Sequence, residues 1–148
     1  MKNKWSIRKA IIEDAYGLQK CMELAYSTYK ERMNGSRLPP MDVDYSLEIR
    51  DYPTWVVEYN GEIAGGLVMM FENDYASLAN IAVHPKFQGE DIGSTLMKFS
   101  ENIAKEKNYS TIRLATHILL TENLSLYLHL GWKEIDRDTT RVYMQKDI

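Results

Sequence analysis

A loop that contains Gly89 and Gly93 is the segment of this sequence with the clearest capacity for chemistry. It follows an almost wholly apolar strand pattern, Ser77–Val83, and leads into a helix with one apolar face, at Ile92, Leu96, Phe99 and Ile103. The first backbone N–H groups of a helix have no intrahelical partner, and the helix dipole favours negative charge there. Because glycine lacks a Cβ, Gly93 lets a phosphate come close to the backbone. The pattern therefore predicts an anion site where this helix begins.

The elements around this loop are predicted to form a mixed α/β sheet, in the order β-α-α-β-β-β-α-β-α-β-β. The first helix follows Glu13–Asp14 and is expected to end near Asn34–Gly35, and a short helix is expected at Val43–Arg50. Thr121 is expected to cap the last helix, and Asn60–Gly61 indicates a type I′ hairpin. The strands are expected at Trp5–Arg8, Trp55–Tyr59, Ile63–Phe71, Ser77–Val83, Thr111–Thr116, Trp132–Ile135 and Arg141–Met144.

The composition is typical of a globular protein, and the length predicts a single domain over residues 1–148. The net charge of −3 disfavours a nucleic-acid binder, and no apolar run is long enough to span a membrane. The lone cysteine, Cys21, cannot form an internal disulfide. Because the polar segment 1–5 lacks the features of a signal peptide, we expect a cytoplasmic protein.

Two motifs carry a resemblance to a known family. Gln88-Gly89-Glu90-Asp91-Ile92-Gly93 follows the apolar run Ile81-Ala82-Val83-His84-Pro85, and a helix with Tyr127 precedes Leu130-Gly131-Trp132. Together they resemble the GNAT superfamily of acyl-CoA N-acyltransferases, whose signature is Gln/Arg-x-x-Gly-x-Gly/Ala. The last strand, from Arg141 to Lys146, is also similar to that of many members. The chain departs from the signature at its central glycine, which is Asp91 here.

The resemblance implies a mixed, mostly antiparallel twisted sheet of six to seven strands with about four helices, and acetyl-CoA as the cofactor. Backbone groups of Ile81 and Val83 would pair with the pantetheine arm, and Asn123 would either bind that arm or cap its own helix. A carboxylate at Asp91 should repel the diphosphate, although aspartate tolerates a positive φ better than most residues. The residues implied to bind the cofactor are Ile81, Val83, Gln88, Gly89, Asp91, Ile92, Gly93, Ser94 and Asn123.

Three residues are candidates for catalysis of amine acylation by a thioester. The resemblance implies that the Val83 N–H polarises the thioester carbonyl and that Tyr127 protonates the departing thiolate. From residue type alone, a core tyrosine is the favoured interpretation of Tyr127. His117 is a candidate base, because histidine can gain or lose a proton near neutral pH, although a lone histidine is more often structural. Glu72 or Asp74 acting through water are alternatives, and deprotonation relayed by solvent alone is the default expectation.

No metal is expected, because the three histidines are scattered. No serine or cysteine has an identifiable base beside it, so direct transfer is preferred over a covalent enzyme intermediate.

The acceptor is expected at the segment after the first helix, where Tyr29, Met41 and Tyr45 could line a pocket. Asp42 or Asp44 could pair with an amine cation; a solvated connection between helices is an equal alternative. We expect a small-molecule amine as the partner, with no nucleic acid and no membrane. A protein or peptide acceptor, or a CoA-binding module that has lost turnover, are the other hypotheses. A homodimer is plausible by analogy with relatives.

Overall fold

The computed structural model describes residues 4–148 and confirms the predicted fold class. One sheet contains β1 to β7 in the spatial order β1-β2-β3-β4-β5-β7-β6. Only the β4–β5 pair is parallel; the other neighbouring strands of this sheet are antiparallel. The bounds are β1 Trp5–Lys9, β2 Thr54–Tyr59, β3 Glu62–Phe71, β4 Ala76–Val83, β5 Thr111–His117, β6 Lys133–Arg137 and β7 Arg141–Asp147. Residues 1–3 lie outside the described residues. They belong to segment 1–5, on which the expectation of no signal peptide rests.

Four α-helices accompany the sheet within residues 4–148. They are α1 Ala15–Ser27, α2 Tyr45–Asp51, α3 Ile92–Glu106 and α4 Thr121–His129. Among the described helices, none combines the length and the hydropathy required to cross a membrane. Asn60 and Gly61 both have positive φ, 51° and 84°, as the predicted type I′ hairpin requires.

Strand β2 shows how the two faces of the sheet are covered, because successive side chains of a strand point to opposite faces. Trp55 and Val57 pack into a core with α3, whereas Val56 packs into a second core with α1. All three are buried. A strand enclosed on both faces explains why the sequence of β2 shows no polar alternation there.

The prediction for the end of the first helix was wrong by about two turns. Helix α1 ends at Ser27, and residues 28–35 form a series of turns that closes at Gly35, whose φ is +80°. The hydroxyls of Ser27 and Thr28 donate to the carbonyls of Leu24 and Ala25, both at 2.9 Å. Such side-chain bonds offer the backbone an alternative to continued helix, which the glycine-based expectation did not consider.

The expected cap at Thr121 was also wrong. Thr121 is the first residue of α4, Leu120 occupies the N-cap position, and no side chain caps the helix there. The Thr121 hydroxyl instead donates to a Glu122 carboxylate oxygen at 3.1 Å.

Strands β4 and β5 separate after a short region of pairing. They are in register from Ala76↔Ile112 to Leu78↔Leu114, and β4 then continues to Val83 against β3 alone. A bulge in β4 opposite Val68 and Met69 lies at the point where the strands part. Because bulges bend the strand that carries them, this bulge directs the end of β4 away from β5. The sheet thus opens at its centre.

The start of α1 is held to the first strand by a partly buried ion pair. The Arg8 guanidinium donates to both carboxylate oxygens of Asp14, at 2.8 and 2.9 Å, and Ile11 N donates to the same carboxylate at 2.8 Å. Asp14 is only 8% exposed. The hydrogen bonds from Arg8 lower the pKa of Asp14 below its ordinary 3.8, against the opposing effect of burial.

We expect the Asp14→Asn variant to lower the free energy of unfolding by about 1–2 kcal/mol near neutral pH, a value reduced because Arg8 is partly exposed. A lowered pKa means that the carboxylate stabilises the fold above the ordinary value and loses this contribution as pH falls through the folded-state pKa. Denaturant unfolding of wild type and variant at several pH values should therefore show a difference in the free energy of unfolding that becomes smaller in acid. A difference that does not change with pH would contradict this account.

Candidate active site

Two cavities occupy the central opening of the sheet. The β5 cavity, of about 360 Å³, is lined by residues 77–81 of β4 and 114–117 of β5. The α3 cavity, of about 350 Å³, is lined by Val83, the loop before α3 and the first turn of α3. Tyr26, Ile81 and Tyr127 line both cavities. Molecules bound in the two cavities would therefore meet beside these three side chains.

The residues that the sequence predicted for cofactor binding come together in the α3 cavity. This group spans the end of β4, the loop, the start of α3 and one residue of α4. Its members are Ile81, Val83, Gln88, Gly89, Asp91, Ile92, Gly93, Ser94 and Asn123. Tyr29, expected on the acceptor side, also lines this cavity.

The backbone turns sharply into α3 at Asp91. Asp91 is the N-cap residue with φ 60° and ψ 19°, the left-handed conformation, as expected if the family's glycine position requires positive φ. Its carbonyl accepts from the Thr95 N–H at 3.1 Å and from the Thr95 hydroxyl at 2.7 Å. The amides of Ile92, Gly93 and Ser94 are then the orphan donors of the first turn. They make this end of the cavity suitable for a phosphate group.

Packing within the chain does not require a glycine at position 93. A Cβ added there would lie 3.7 Å from Val83 Cγ2, an ordinary contact. Gly93 also lines the α3 cavity, so the space that its missing side chain leaves belongs to the cavity. The residues present therefore fit a diphosphate that approaches the backbone closely.

Charge at Asp91 gives a direct test of this fit. We expect the Asp91→Asn variant to bind CoA about two- to five-fold more tightly, because it removes a carboxylate beside the diphosphate site while keeping a residue that tolerates positive φ. Asp91→Gly should give a similar gain. Calorimetric titration of CoA into the three proteins measures it, and equal affinities would contradict the expected repulsion. Lys86 already contacts both Glu62 oxygens at 3.2 Å, which limits its ability to offset the Asp91 charge.

Backbone groups of β4 face the central opening. His84 N donates to Ala64 O at 2.8 Å, which fixes the phase of the β3–β4 ladder. Because hydrogen-bonded pairs alternate with non-hydrogen-bonded pairs, the N–H and C=O groups of Ile81 and Val83 point away from β3. Strand β5 has already diverged at this level. The Ile81 N–H and both Val83 groups therefore suit an amide-rich pantetheine arm, whereas the Ile81 carbonyl already accepts from the Tyr26 hydroxyl.

The two tyrosines shared by the cavities differ in what their hydroxyls contact. Tyr26 donates its proton to the Ile81 carbonyl at 2.8 Å. The Tyr127 hydroxyl forms no hydrogen bond within residues 4–148, although the side chain is only 7% exposed. Burial, with a smaller effect of Tyr29, raises the pKa of Tyr127 to about 12. Tyr127 therefore keeps its proton near neutral pH and has it free to donate.

His117 lies at the wall of the β5 cavity, at the end of β5. Its Nδ1 accepts a hydrogen bond from Leu119 N at 3.1 Å. In the neutral ring this places the remaining proton on Nε2, so the free ring nitrogen of His117 is a donor. A role as general base would require this bond to break first. His84, by contrast, accepts from Lys86 N at 3.0 Å within its own turn.

Two residues expected to line an acceptor pocket belong to the core instead. Tyr45 is 1% exposed, donates to Pro40 O at 2.6 Å and lines neither cavity. Met41 is buried in a small cluster with Leu38 and Leu120, behind the wall that Leu38 and Leu120 give to the β5 cavity. The segment after α1 thus shapes the cavity through Leu38, although not through the predicted Tyr45 and Met41.

The acidic candidates lie elsewhere. Asp42 pairs with Arg37 at 2.7 Å, and Asp44 caps α2 by accepting from Ser46 N at 3.0 Å. Glu72 and Asp74 lie in the β3–β4 turn and line neither cavity. Over the described part of the chain, no group of three or more His, Cys, Asp or Glu side chains is placed to hold a metal.

Sequence reasoning missed Arg141 as a site residue. Arg141 is the first residue of β7 and lies directly opposite His117 in the β5–β7 register, and both line the β5 cavity. The sequence interpretation treated Arg141 only as part of a terminal strand. Its position beside His117 follows from the pairing register, which no local pattern in the sequence indicates.

Three curated proteins resemble this chain. An uncharacterized N-acetyltransferase YjgM of Escherichia coli is 33% identical over 86 residues, 55% of this chain and 52% of the relative. A putative [ribosomal protein bS18]-alanine N-acetyltransferase of Bacillus subtilis is 29% identical over 76 residues, 51% of this chain and 50% of the relative. The aminoalkylphosphonate N-acetyltransferase of Salmonella typhimurium is 28% identical over 118 residues, 76% of this chain and 70% of the relative. The chain thus spans about half the length of the first two relatives.

The fold also has close structural counterparts. The PaiA N-acetyltransferase from Thermoplasma acidophilum, solved in complex with coenzyme A, superposes with a TM-score of 0.84 over 100% of both chains at 22% identity. A family model described as Acetyltransferase (GNAT) family matches residues 18–132, most of the chain. This match confirms the predicted family and extends over both motifs that carry the resemblance. The chain therefore belongs to the acetyltransferase (GNAT) family.

Proposed function

We propose that this protein transfers the acetyl group of acetyl-CoA directly to the primary amine of a small molecule. The observation that carries the proposal is the meeting of the two cavities at Tyr26, Ile81 and Tyr127. The α3 cavity has the orphan amides that suit a diphosphate, and the β5 cavity leaves separate room for an acceptor. The two substrates would reach each other without a covalent enzyme intermediate.

Acetyl-CoA supplies an activated acyl group, which forms an amide bond with the amine nitrogen as the carbon–sulfur bond breaks. Val83 N–H faces the opening and would donate to the carbonyl oxygen where negative charge develops, an arrangement that needs no reorganisation. Tyr127 would give its proton to the departing sulfur, so that the thiol leaves neutral. The amine loses its proton to solvent, because no carboxylate lines the β5 cavity within the described residues and His117 presents a donor.

The size of the β5 cavity supports a small acceptor. Its volume of about 360 Å³ lies in the range of small-molecule sites. A relative that acts on aminoalkylphosphonates, by its name, is similar over 76% of this chain. The alternative is the N-terminal amine of a protein, which the similarity to a bS18-alanine acetyltransferase supports over 51% of the chain. A homodimer and a cytoplasmic location stay predictions.

The proposal is tested by acetyl-CoA turnover across an amine panel. Thiol release is measured with short aliphatic amines, amino acids, polyamines and a peptide that begins with alanine, and each product is checked by mass for one added acetyl group. Acetylation of a small amine with a kcat/KM well above that of the peptide is the expected result. A marked preference for the peptide would favour the alternative, and hydrolysis without any acetylated product would overturn the proposal.

A further inference from the structure

The wall of the β5 cavity carries basic side chains and, within the described residues, no carboxylate. Arg141 and His117 line it, together with the hydroxyl- and amide-bearing side chains Tyr26, Asn80 and Tyr127. Neither aspartate nor glutamate lines it within residues 4–148. A cavity built to hold a second ammonium group would need a carboxylate or an aromatic cage for it. This cavity offers donors and a positive charge instead.

Arg141 differs from every other arginine of the chain. The sequence contains seven arginines, and the side chains of the other six donate hydrogen bonds to acidic, amide or backbone oxygens. The Arg141 guanidinium makes no hydrogen bond or ion pair with any described residue. The carboxylate of the neighbouring Asp138 accepts from Thr140 N, Arg141 N and the Tyr143 hydroxyl, and not from the Arg141 guanidinium. An unpaired guanidinium at a cavity wall is a ready partner for an anion.

The pairing register places His117 and Arg141 side by side. They are directly opposite each other in the antiparallel β5–β7 ladder, so they share one face of the sheet. Ile118 N donates to Thr140 O at 2.8 Å, which makes His117–Arg141 a non-hydrogen-bonded pair, the type with the closer side chains. With Nδ1 of His117 occupied by Leu119 N, the neutral ring keeps its proton on Nε2, so both members of the pair carry donors.

We infer that the β5 cavity takes an amine whose other end carries an anionic group, a carboxylate or a phosphonate, held by Arg141 and His117. The inference rests on the proposed function and adds the class of the acceptor. Leu78 pairs with Leu114, and both Ile81 and His117 lie three residues further along their strands. Both line the β5 cavity, so the anion site and the reacting end at Ile81 lie across the opening from each other. An acceptor with its amine and its anion at opposite ends matches this arrangement.

The test compares acceptors of matched length with and without the anion. We expect 3-aminopropylphosphonate or 4-aminobutyrate to be acetylated with a kcat/KM at least about 10-fold above those of butylamine and 1,4-diaminobutane. Arg141→Gln should lower kcat/KM for the anionic amines about 10- to 100-fold, mainly through KM, and so remove their advantage over butylamine. The two anionic substrates distinguish a carboxylate from a phosphonate site.

Arg113→Gln is the matched control, because Arg113 lies on the same pair of strands, bonds Gln145 at 2.9 Å and does not line the β5 cavity. It should leave the preference intact. Equal or better use of butylamine or the diamine by the wild type would overturn the inference and leave the proposed function standing. If no amine is acetylated, calorimetric titration of 3-aminopropylphosphonate into the CoA complex is the deciding measurement. Binding by the wild type that Arg141→Gln weakens would support the anion site, although not the proposed reaction. Absence of binding by the wild type would overturn the anion site.

Discussion

Replacing Tyr127 with phenylalanine is expected to lower kcat for acetyl transfer by about 100-fold or more. The substitution keeps the buried ring and removes only the hydroxyl, which forms no hydrogen bond within residues 4–148 and lines both cavities. Because no partner is left unsatisfied, the free energy of unfolding should change little. The lost rate is then the loss of a proton donor for the thiolate. Steady-state kinetics with a saturating acceptor measure it, alongside CoA binding, which should stay within a few-fold.

Tyr26→Phe provides the matched control. Tyr26 lines the same two cavities, but its proton is already donated to the Ile81 carbonyl at 2.8 Å. We expect this variant to lose at most about 10-fold in kcat, since it removes a positioning bond and no acid. If Tyr26→Phe is the more damaged enzyme, or if Tyr127→Phe retains full activity, the assignment of the acid is wrong.

The pH profile gives a second measure of the same group. A general acid must be protonated, and burial raises the pKa of Tyr127 from its ordinary 10.0 to about 12. The rate should therefore rise as the acceptor amine loses its proton and should not fall as pH passes through the ordinary pKa of tyrosine. A wild-type rate that falls near pH 10 would mean that burial does not raise the pKa of Tyr127 in this way.

The order of the elements and the α3 site were accessible from the sequence because both follow from local patterns. An apolar strand, a loop with glycines and an amphipathic helix are read from consecutive residues, and Gly89, Asp91, Ile92, Gly93 and Ser94 line the α3 cavity together. Asp91 was correctly expected to tolerate a positive φ. These features depend on the backbone conformation of a short segment, so that neighbouring residues in the chain are also neighbours in the site.

The acceptor side was less accessible because it depends on contacts between distant segments. Tyr45 looked available as an aromatic residue after a Pro-rich connection, yet it begins α2, where its hydroxyl reaches Pro40 O and its ring enters the core. Arg141 and His117 become neighbours only through the β5–β7 register. The β5 cavity itself exists because β4 leaves β5 after Leu78. Neither a register nor a separation of strands is encoded in any short run of residues.

Placing a carboxylate at Ser94 should weaken CoA binding about 100-fold or more while leaving the fold intact. Ser94 is the third residue of α3 and lines the α3 cavity, and its exposed hydroxyl makes only a 3.3 Å contact to the Asp91 carbonyl. A glutamate in the first turn of a helix is favourable, because it complements the helix dipole and can accept from N-cap backbone. The Ser94→Glu variant is therefore expected to keep or raise the melting temperature.

The same carboxylate would face the diphosphate across the orphan amides of Ile92 and Gly93. Like charges about 4 Å apart near a protein surface repel strongly enough to weaken CoA binding about 100-fold or more. Ser94→Gln, of equal size and without charge, should weaken binding by no more than about 10-fold, and added salt should narrow the difference between the two variants. Thermal unfolding and CoA titration of both variants make the measurement. Equal affinities for CoA in the glutamate and glutamine variants would mean that the diphosphate does not lie at the start of α3.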